Sequence, residues 1–218
     1  MVTSMYKCKG ILFDFDGTLA NTMQNHYHCW KSVFGAIGVN LSEKDYYPME
    51  GASLMDIAKK FSKFSDPKEL EVLVRNKKDR YINLYKKKIS FYPGVSDLVN
   101  YLSTKMPLGI VTGGHRDQLE NTVPREFLRL FSTIVCGDET EKNKPYPDPY
   151  QTAARKLELN TAECVVVENA PLGIKSALNA GCYCIAVTTT CNKVEVDEAH
   201  EIVEKIVDIT KTKIINNF

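Results

Sequence analysis

A few short stretches of this 218-residue chain hold side chains that can do chemistry together. Asp14-Phe15-Asp16-Gly17-Thr18 places two carboxylates two residues apart, directly after the apolar Ile11-Leu12-Phe13. Thr112-Gly113-Gly114 offers a hydroxyl and two glycines, Gly137-Asp138 a glycine and an acid, and Glu168-Asn169 an acid and an amide. Lys144 stands in a proline-bounded run, Lys-Pro-Tyr-Pro-Asp-Pro. Two close carboxylates joined by a third make an oxygen-only set suited to Mg²⁺, which takes hard ligands near ~2.1 Å and keeps waters for a substrate phosphate. One aspartate of the pair could then attack a phosphoryl group and form an aspartyl phosphate, while Mg²⁺ and a lysine neutralise charge developing on the phosphoryl oxygens. The other could protonate the leaving group and then activate water.

These residues are useful only if the fold brings them together. Lys9–Phe13 reads as a short buried strand, followed between about residues 25 and 90 by apolar residues at helical spacing (Trp30, Phe34, Ile37; Ile57, Phe61, Phe64; Leu70, Leu73; Tyr81, Leu84, Tyr85) without strand alternation. After Tyr92-Pro93-Gly94 the texture changes to short apolar strands alternating with helices. Helices are expected near residues 95–103, 116–122, 149–157 and 172–180, with strands at 108–111, 133–136, 164–167 and 184–187. That alternation predicts an α/β fold, a doubly wound parallel sheet covered on both faces, with an all-α insertion. The expected division is a core of residues 1–23 and 91–218 and a helical cap of 24–90. In such sheets ligands bind at the carboxyl ends of the strands, and every chemical stretch above follows a predicted strand or lies in a loop near one.

Composition narrows the function classes. With 28 Lys+Arg against 27 Asp+Glu there is no global pull toward nucleic acid or an anionic membrane. The division of charge is uneven: residues 24–90 carry 13 Lys+Arg against 8 Asp+Glu, so a cationic cap faces an acidic core. No apolar run reaches the ~18 to 20 residues of a membrane helix, and Ile11–Phe13 is too short for a secretion-signal core. Seven cysteines, with no CxxC spacing, read as free buried thiols of a reducing compartment, so the expected location is the cytoplasm. The expected partner is a small phosphorylated metabolite rather than nucleic acid or membrane, and the expected state is a monomer.

In order along the chain, Asp14-Phe15-Asp16-Gly17-Thr18, Thr112, Lys144 and Glu168-Asn169-Ala170-Pro171-Leu172-Gly173 resemble the four signature motifs of the haloacid dehalogenase superfamily. The helical insertion after the first motif resembles the small cap of its β-phosphoglucomutase and phosphonatase branch. The resemblance implies a Rossmann-like core, with Asp14 as nucleophile, Asp16 as general acid/base, and Thr112 and Lys144 holding phosphate beside Gly113 and Gly114. It implies Mg²⁺ held by Asp14, the Asp16 backbone carbonyl and Glu168. Many relatives have an acidic pair where this chain has Glu168-Asn169; Asn169 could still offer its carbonyl oxygen to the metal, at the loss of one charge.

The cap residues bear on the substrate. His26 and Trp30 match a cap-hinge pattern in which the histidine places the acid/base aspartate, and Lys77 matches a cap lysine of the mutase. Against that, Glu50 stands before Gly51 where the mutase has lysine, and Leu54 replaces its phosphate-binding arginine. Losing two cations removes charge-assisted bonds worth roughly 1.5 to 3 kcal/mol each, which disfavours a mutase. Met49-Glu50-Gly51 is also similar to a subgroup that includes an inorganic pyrophosphatase, but the arginine that follows there is missing. Glu50 would be useful over an anionic substrate only if it meets metal, metal-bound water or a hydroxyl. The expectation is therefore a Mg²⁺-dependent phosphatase acting on a sugar or polyol phosphate, with pyrophosphate hydrolysis as the alternative. A dehalogenase is disfavoured by Glu168, and a non-catalytic binding protein by the presence of Asp14. The ordinary readings are a charged helix face for Lys77, Lys78 and Arg80, a solvated helix end for Lys86–Lys88, and a polar helix surface for His28.

Overall fold

The computed structural model describes residues 6–86 and 88–215. Six parallel strands, β1 (Gly10–Phe13), β2 (Leu108–Val111), β3 (Thr133–Val135), β4 (Cys164–Glu168), β5 (Tyr183–Val187) and β6 (Glu201–Val203), form one sheet in the order β3-β2-β1-β4-β5-β6. β1 is the switch point: the chain winds outward from it in both directions, leaving a crevice at its carboxyl end. Phe13 pairs with Ile110 on one side and Val167 on the other, so the next residue, Asp14, falls level with Val111 and Glu168. The third acid therefore belongs to the strand itself, one residue beyond the expected end of β4.

The helices are α1 (Met23–Gly35), α2 (Glu43–Tyr46), α3 (Leu54–Phe61), α4 (Pro67–Tyr85), α5 (Val95–Ser103), α6 (Arg116–Thr122), α7 (Arg125–Leu128), α8 (Asp148–Lys156) and α9 (Pro171–Asn179). Alternation along the central strands sorts the core. Ile11, Phe13, Ile110, Val165 and Val167 pack with α5, α6 and α7 on one face, while Leu12, Val111, Val166 and Cys184 pack with α8 and α9 on the other. Strands buried on both faces read as continuous apolar runs, which is why β1, β2, β4 and β5 are visible in the sequence. β6, three half-buried residues at the sheet's margin, has no such run, and α7 is a single turn; neither was anticipated.

Helices α1 to α4 share a third apolar cluster around Trp30, Phe34, Leu54, Ile57, Leu70 and Leu73. Their starts are marked by local chemistry: Ser53 accepts from Asp56 N at 3.1 Å to open α3, and Asp66 before Pro67 accepts from Lys68 N at 2.9 Å to open α4. The chain enters and leaves this segment through two adjacent stretches bonded to each other, Asn21 N to Ser90 O at 2.8 Å and Tyr92 N to Leu19 O at 3.1 Å. α4 ends at Tyr85, so Lys86 and Lys88 lie exposed beyond it, and Lys87 lies outside the described residues. No helix among the described residues is long and apolar enough to cross a membrane.

Candidate active site

At the carboxyl end of β1, Asp14 is held by Asp14 N donating to Val167 O at 2.9 Å, and its side chain is buried. Lys144, from the loop before α8, reaches into the crevice and donates to Asp14 Oδ1 at 2.7 Å, Glu168 Oε1 at 2.6 Å and Val111 O at 3.1 Å. One ammonium thus ties three neighbouring strands. Glu168 is further fixed by Tyr150 Oη donating to Oε1 at 2.9 Å and by the Asn169 and Ala170 N–H groups donating to Oε2. Gly173 makes room for it: a Cβ there would overlap the carboxylate. Burial pushes Asp14 up to about 8, with Lys144 pulling down and Glu168 pushing up; Lys144 is itself held above the usual lysine range, its burial outweighed by the two carboxylates.

Asp16 lies beneath the helical segment. His26 Nε2 sits 2.8 Å from Asp16 Oδ1, Thr22 Oγ1 donates to the same oxygen at 2.6 Å, and Thr112 Oγ1 donates to Oδ2 at 3.3 Å. Lys77 Nζ donates to His26 Nδ1 at 2.8 Å and to Gln118 Oε1 at 3.1 Å. With Nδ1 accepting, the imidazole carries its proton on Nε2 and donates it to Asp16. Burial and the neighbouring Lys77 lower the His26 pKa, so the ring is neutral near pH 7. Burial pushes Asp16 up as well, but His26, Thr22 and Lys77 outweigh it and hold the carboxylate at about 2.

Above these residues is a cavity of about 40 Å³ lined by Asp14, Asp16, Thr112, Gly113 and Gly114 from the core and by Met23, His26, Trp30, Tyr46, Glu50, Leu54 and Ile57 from the helical segment, among others. Glu50 is 2% exposed, so it is no solvated residue: Oε2 accepts from Thr190 Oγ1 at 2.7 Å and Asn169 Nδ2 at 3.2 Å. Gly113 permits this closeness, since a Cβ there would meet the carbonyl oxygens of Gly51 and Ala52 at 2.8 and 2.6 Å.

The structure brings together Asp14, Asp16, Thr112, Lys144, Glu168, His26, Glu50, Lys77, Gly113 and Gly114. It separates Asp138, which is exposed and accepts from Arg116 N at 3.1 Å; Gly137 before it packs on Gly113 and donates to Gly114 O at 2.8 Å, but the acid itself turns to the start of α6. Asn169 is placed as a tie, its Oδ1 accepting from Thr18 Oγ1 at 2.9 Å and its amide donating to Glu50 and Thr190. That orientation turns its oxygen to Thr18 rather than leaving it for a metal. Lys77 is not on a charged helix face but fully buried, whereas His28 is exposed beside Gln24. Sequence reasoning missed Thr22, Gln118, Tyr150 and Thr190, common polar residues whose roles arise from partners far along the chain.

The donor set suits a hard divalent cation. Asp14 Oδ2 is buried with no protein partner beside the carboxylates of Asp16 and Glu168, and Asp14's pKa is raised first by burial and then by Glu168. Glu168, both oxygens engaged, supplies charge more than an open position.

The Rossmann-like sheet, the inserted helices and this cluster of acids with lysine define a hydrolase class, and residues 11–187 match the model of the haloacid dehalogenase-like hydrolases: the chain belongs to that family. Its relatives include phosphatases. It is 29% identical over 220 residues to hexitol phosphatase A of Escherichia coli, covering 95% of each chain, and 27% identical over 177 residues to the fructose-1-phosphate phosphatase of the same organism, covering 79% of this chain and 92% of that one. The crystal structure of CbbY from Rhodobacter sphaeroides in complex with xylulose-(1,5)bisphosphate superposes with a TM-score of 0.79 at 25% identity, over 92% of this chain and 96% of that one.

Proposed function

We propose that the chain is a Mg²⁺-dependent phosphatase that hydrolyses a small sugar or polyol phosphate through a phosphoryl-aspartate at Asp14. The observation that carries this reading is the Lys144 ammonium bonded at once to Asp14 and Glu168, beside an Asp16 held by a separate histidine. Two aspartates two residues apart are thereby given different environments, Asp14 on a lysine and Asp16 on a histidine, and a cation bound at Asp14 would favour the ionised form that a nucleophile needs. Asp14 Oδ2 and the Asp16 carbonyl oxygen would hold Mg²⁺ beside the charge of Glu168, and the cation when bound would neutralise charge on the transferring phosphoryl group.

Asp14 attacks phosphorus, the ester P–O bond breaks, and the leaving alkoxide takes a proton from Asp16. Asp16 is ionised at rest, so it first takes a proton from solvent or from a substrate entering as the phosphate monoanion; His26 and Thr22 hold its Oδ1 and Thr112 its Oδ2. Water then attacks the phosphoryl-aspartate, giving its proton to Asp16 and releasing phosphate. Residues 24–90 act as a lid whose closure, tied by Glu50 to Thr190 and Asn169, excludes bulk water. A pyrophosphatase or mutase would need cations for a second phosphate, and none of the residues named along the cavity wall on the lid side, apart from neutral His26, can carry positive charge. The test is phosphate release from a panel of sugar and polyol phosphates and pyrophosphate with Mg²⁺ and with EDTA. Monoester hydrolysis lost with EDTA supports the reading; activity on pyrophosphate alone, or EDTA-resistant activity, overturns it.

A further inference from the structure

Among the described residues, four buried side-chain atoms find no protein partner: Asp14 Oδ2, Trp30 Nε1, Glu50 Oε1 and Tyr81 Oη. Three of the four belong to residues that line the one cavity over Asp14 and Asp16. Folded proteins keep few such atoms, because a buried donor or acceptor without a partner forfeits what water would have given it. Asp14 Oδ2 is the oxygen assigned above to the reaction centre; the other two need a different explanation.

They are of opposite kind. The indole N–H of Trp30 can only donate, and a carboxylate oxygen of Glu50 can only accept. Trp30 is fully buried, its ring stacked on Phe34 at 5.0 Å, so the N–H cannot turn to water without unpacking α1. Glu50 is fixed through its other oxygen by Thr190 and Asn169. The same cavity is also lined by apolar Met23, Leu54 and Ile57. A hydroxyl group accepts and donates through one atom, and so satisfies both residues where a phosphate or carboxylate would be repelled by Glu50 and an alkyl group would satisfy neither.

We infer that Trp30 and Glu50 form the leaving-group subsite, in which the indole N–H donates to, and Glu50 Oε1 accepts from, hydroxyl groups carried by the alcohol being released. The substrate is then a phosphate monoester of a short neutral polyol. The inference rests on the phosphatase reading and assigns the specificity of that site to two residues on the lid.

The test compares glycerol 1-phosphate with propyl phosphate, esters of equal chain length that differ only in their hydroxyls, using the whole protein with Mg²⁺. A site built to bond a hydroxyl rejects the analogue lacking it strongly, so kcat/KM for the wild-type protein is expected to favour glycerol 1-phosphate by roughly 100-fold or more. In Trp30→Phe, which keeps an aromatic ring against Phe34, that ratio is expected to fall at least about tenfold. A wild-type ratio within about threefold of one overturns the inference without any variant having to fold, as does an unchanged ratio in folded Trp30→Phe. Hydrolysis of neither ester, nor of any other monoester, by the wild-type protein would overturn the phosphatase reading itself, and the subsite with it.

Discussion

Below the cavity, at the sheet edge, Lys144, Asp14 and Glu168 are bound to each other and to Tyr150 and two backbone amides, and only Asp14 Oδ2 stays without a partner. Above it, on the helical segment, Trp30 Nε1 and Glu50 Oε1 are buried and unpartnered. The difference separates two tasks. Phosphoryl chemistry is the same for every ester, so the floor can be preorganised before any substrate arrives. The alcohol differs between esters, and recognition of it needs donors and acceptors still open when the lid closes.

The comparison can be broken most severely at the floor. Asp14→Asn is expected to lower Mg²⁺-dependent phosphate release by more than about a thousandfold, since an amide cannot form the covalent intermediate; single-turnover assays that still show wild-type rates would remove the mechanism. Lys144→Met leaves two buried carboxylates without their cation, a loss on the order of 3 to 5 kcal/mol in stability measured by urea unfolding. Lys144→Arg, which keeps the charge, should recover part of it.

Changes around the lid should be milder. Gln118→Leu removes an acceptor of buried Lys77 and should cost roughly 1 to 3 kcal/mol, with a lower kcat because Lys77, which holds His26, is less firmly placed. Glu50→Gln sharpens the contrast by pH. Burial, offset in part by Thr190, raises Glu50 from 4.5 to about 7, so its contribution to stability is full below pH 4.5 and is lost as pH rises through about 7. The variant should therefore gain on the wild type across that window, by roughly 1 to 3 kcal/mol at pH 8 in thermal or urea unfolding. A constant difference from pH 4 to 8 would mean that Glu50 is not the titrating group.

The floor was legible in the sequence because its residues follow apolar runs that can only be buried strands, and strand order then fixes their neighbours. Asp14, Thr112 and Glu168 needed no more than that. Asp138 was misplaced by the same logic: the end of β3 does reach the site through Gly137, but the side chain one residue on turns to Arg116 N, which no local pattern encodes. The lid was harder. Lys77 sits among Lys78, Asp79 and Arg80, and only the packing of α4 against α1 and α6 shows that it alone is buried. Thr190 meets Glu50 across 140 residues, and Tyr150 on α8 meets Glu168 at the end of β4; such pairs have no signature at either end.

The two stretches that join lid to core, bonded at Asn21 to Ser90 and at Leu19 to Tyr92, act mechanically as one narrow ribbon. A body hung on a ribbon swings about a single axis, and points far from that axis travel farthest. His26 lies four residues beyond Thr22, next to these stretches, whereas Glu50 comes much later in the segment and is bonded to Thr190. A small swing would part Glu50 from Thr190 while His26 still touches Asp16. The released alcohol could thus depart, and water enter, with the acid/base aspartate still aligned, so a single hinge would time the two halves of the reaction.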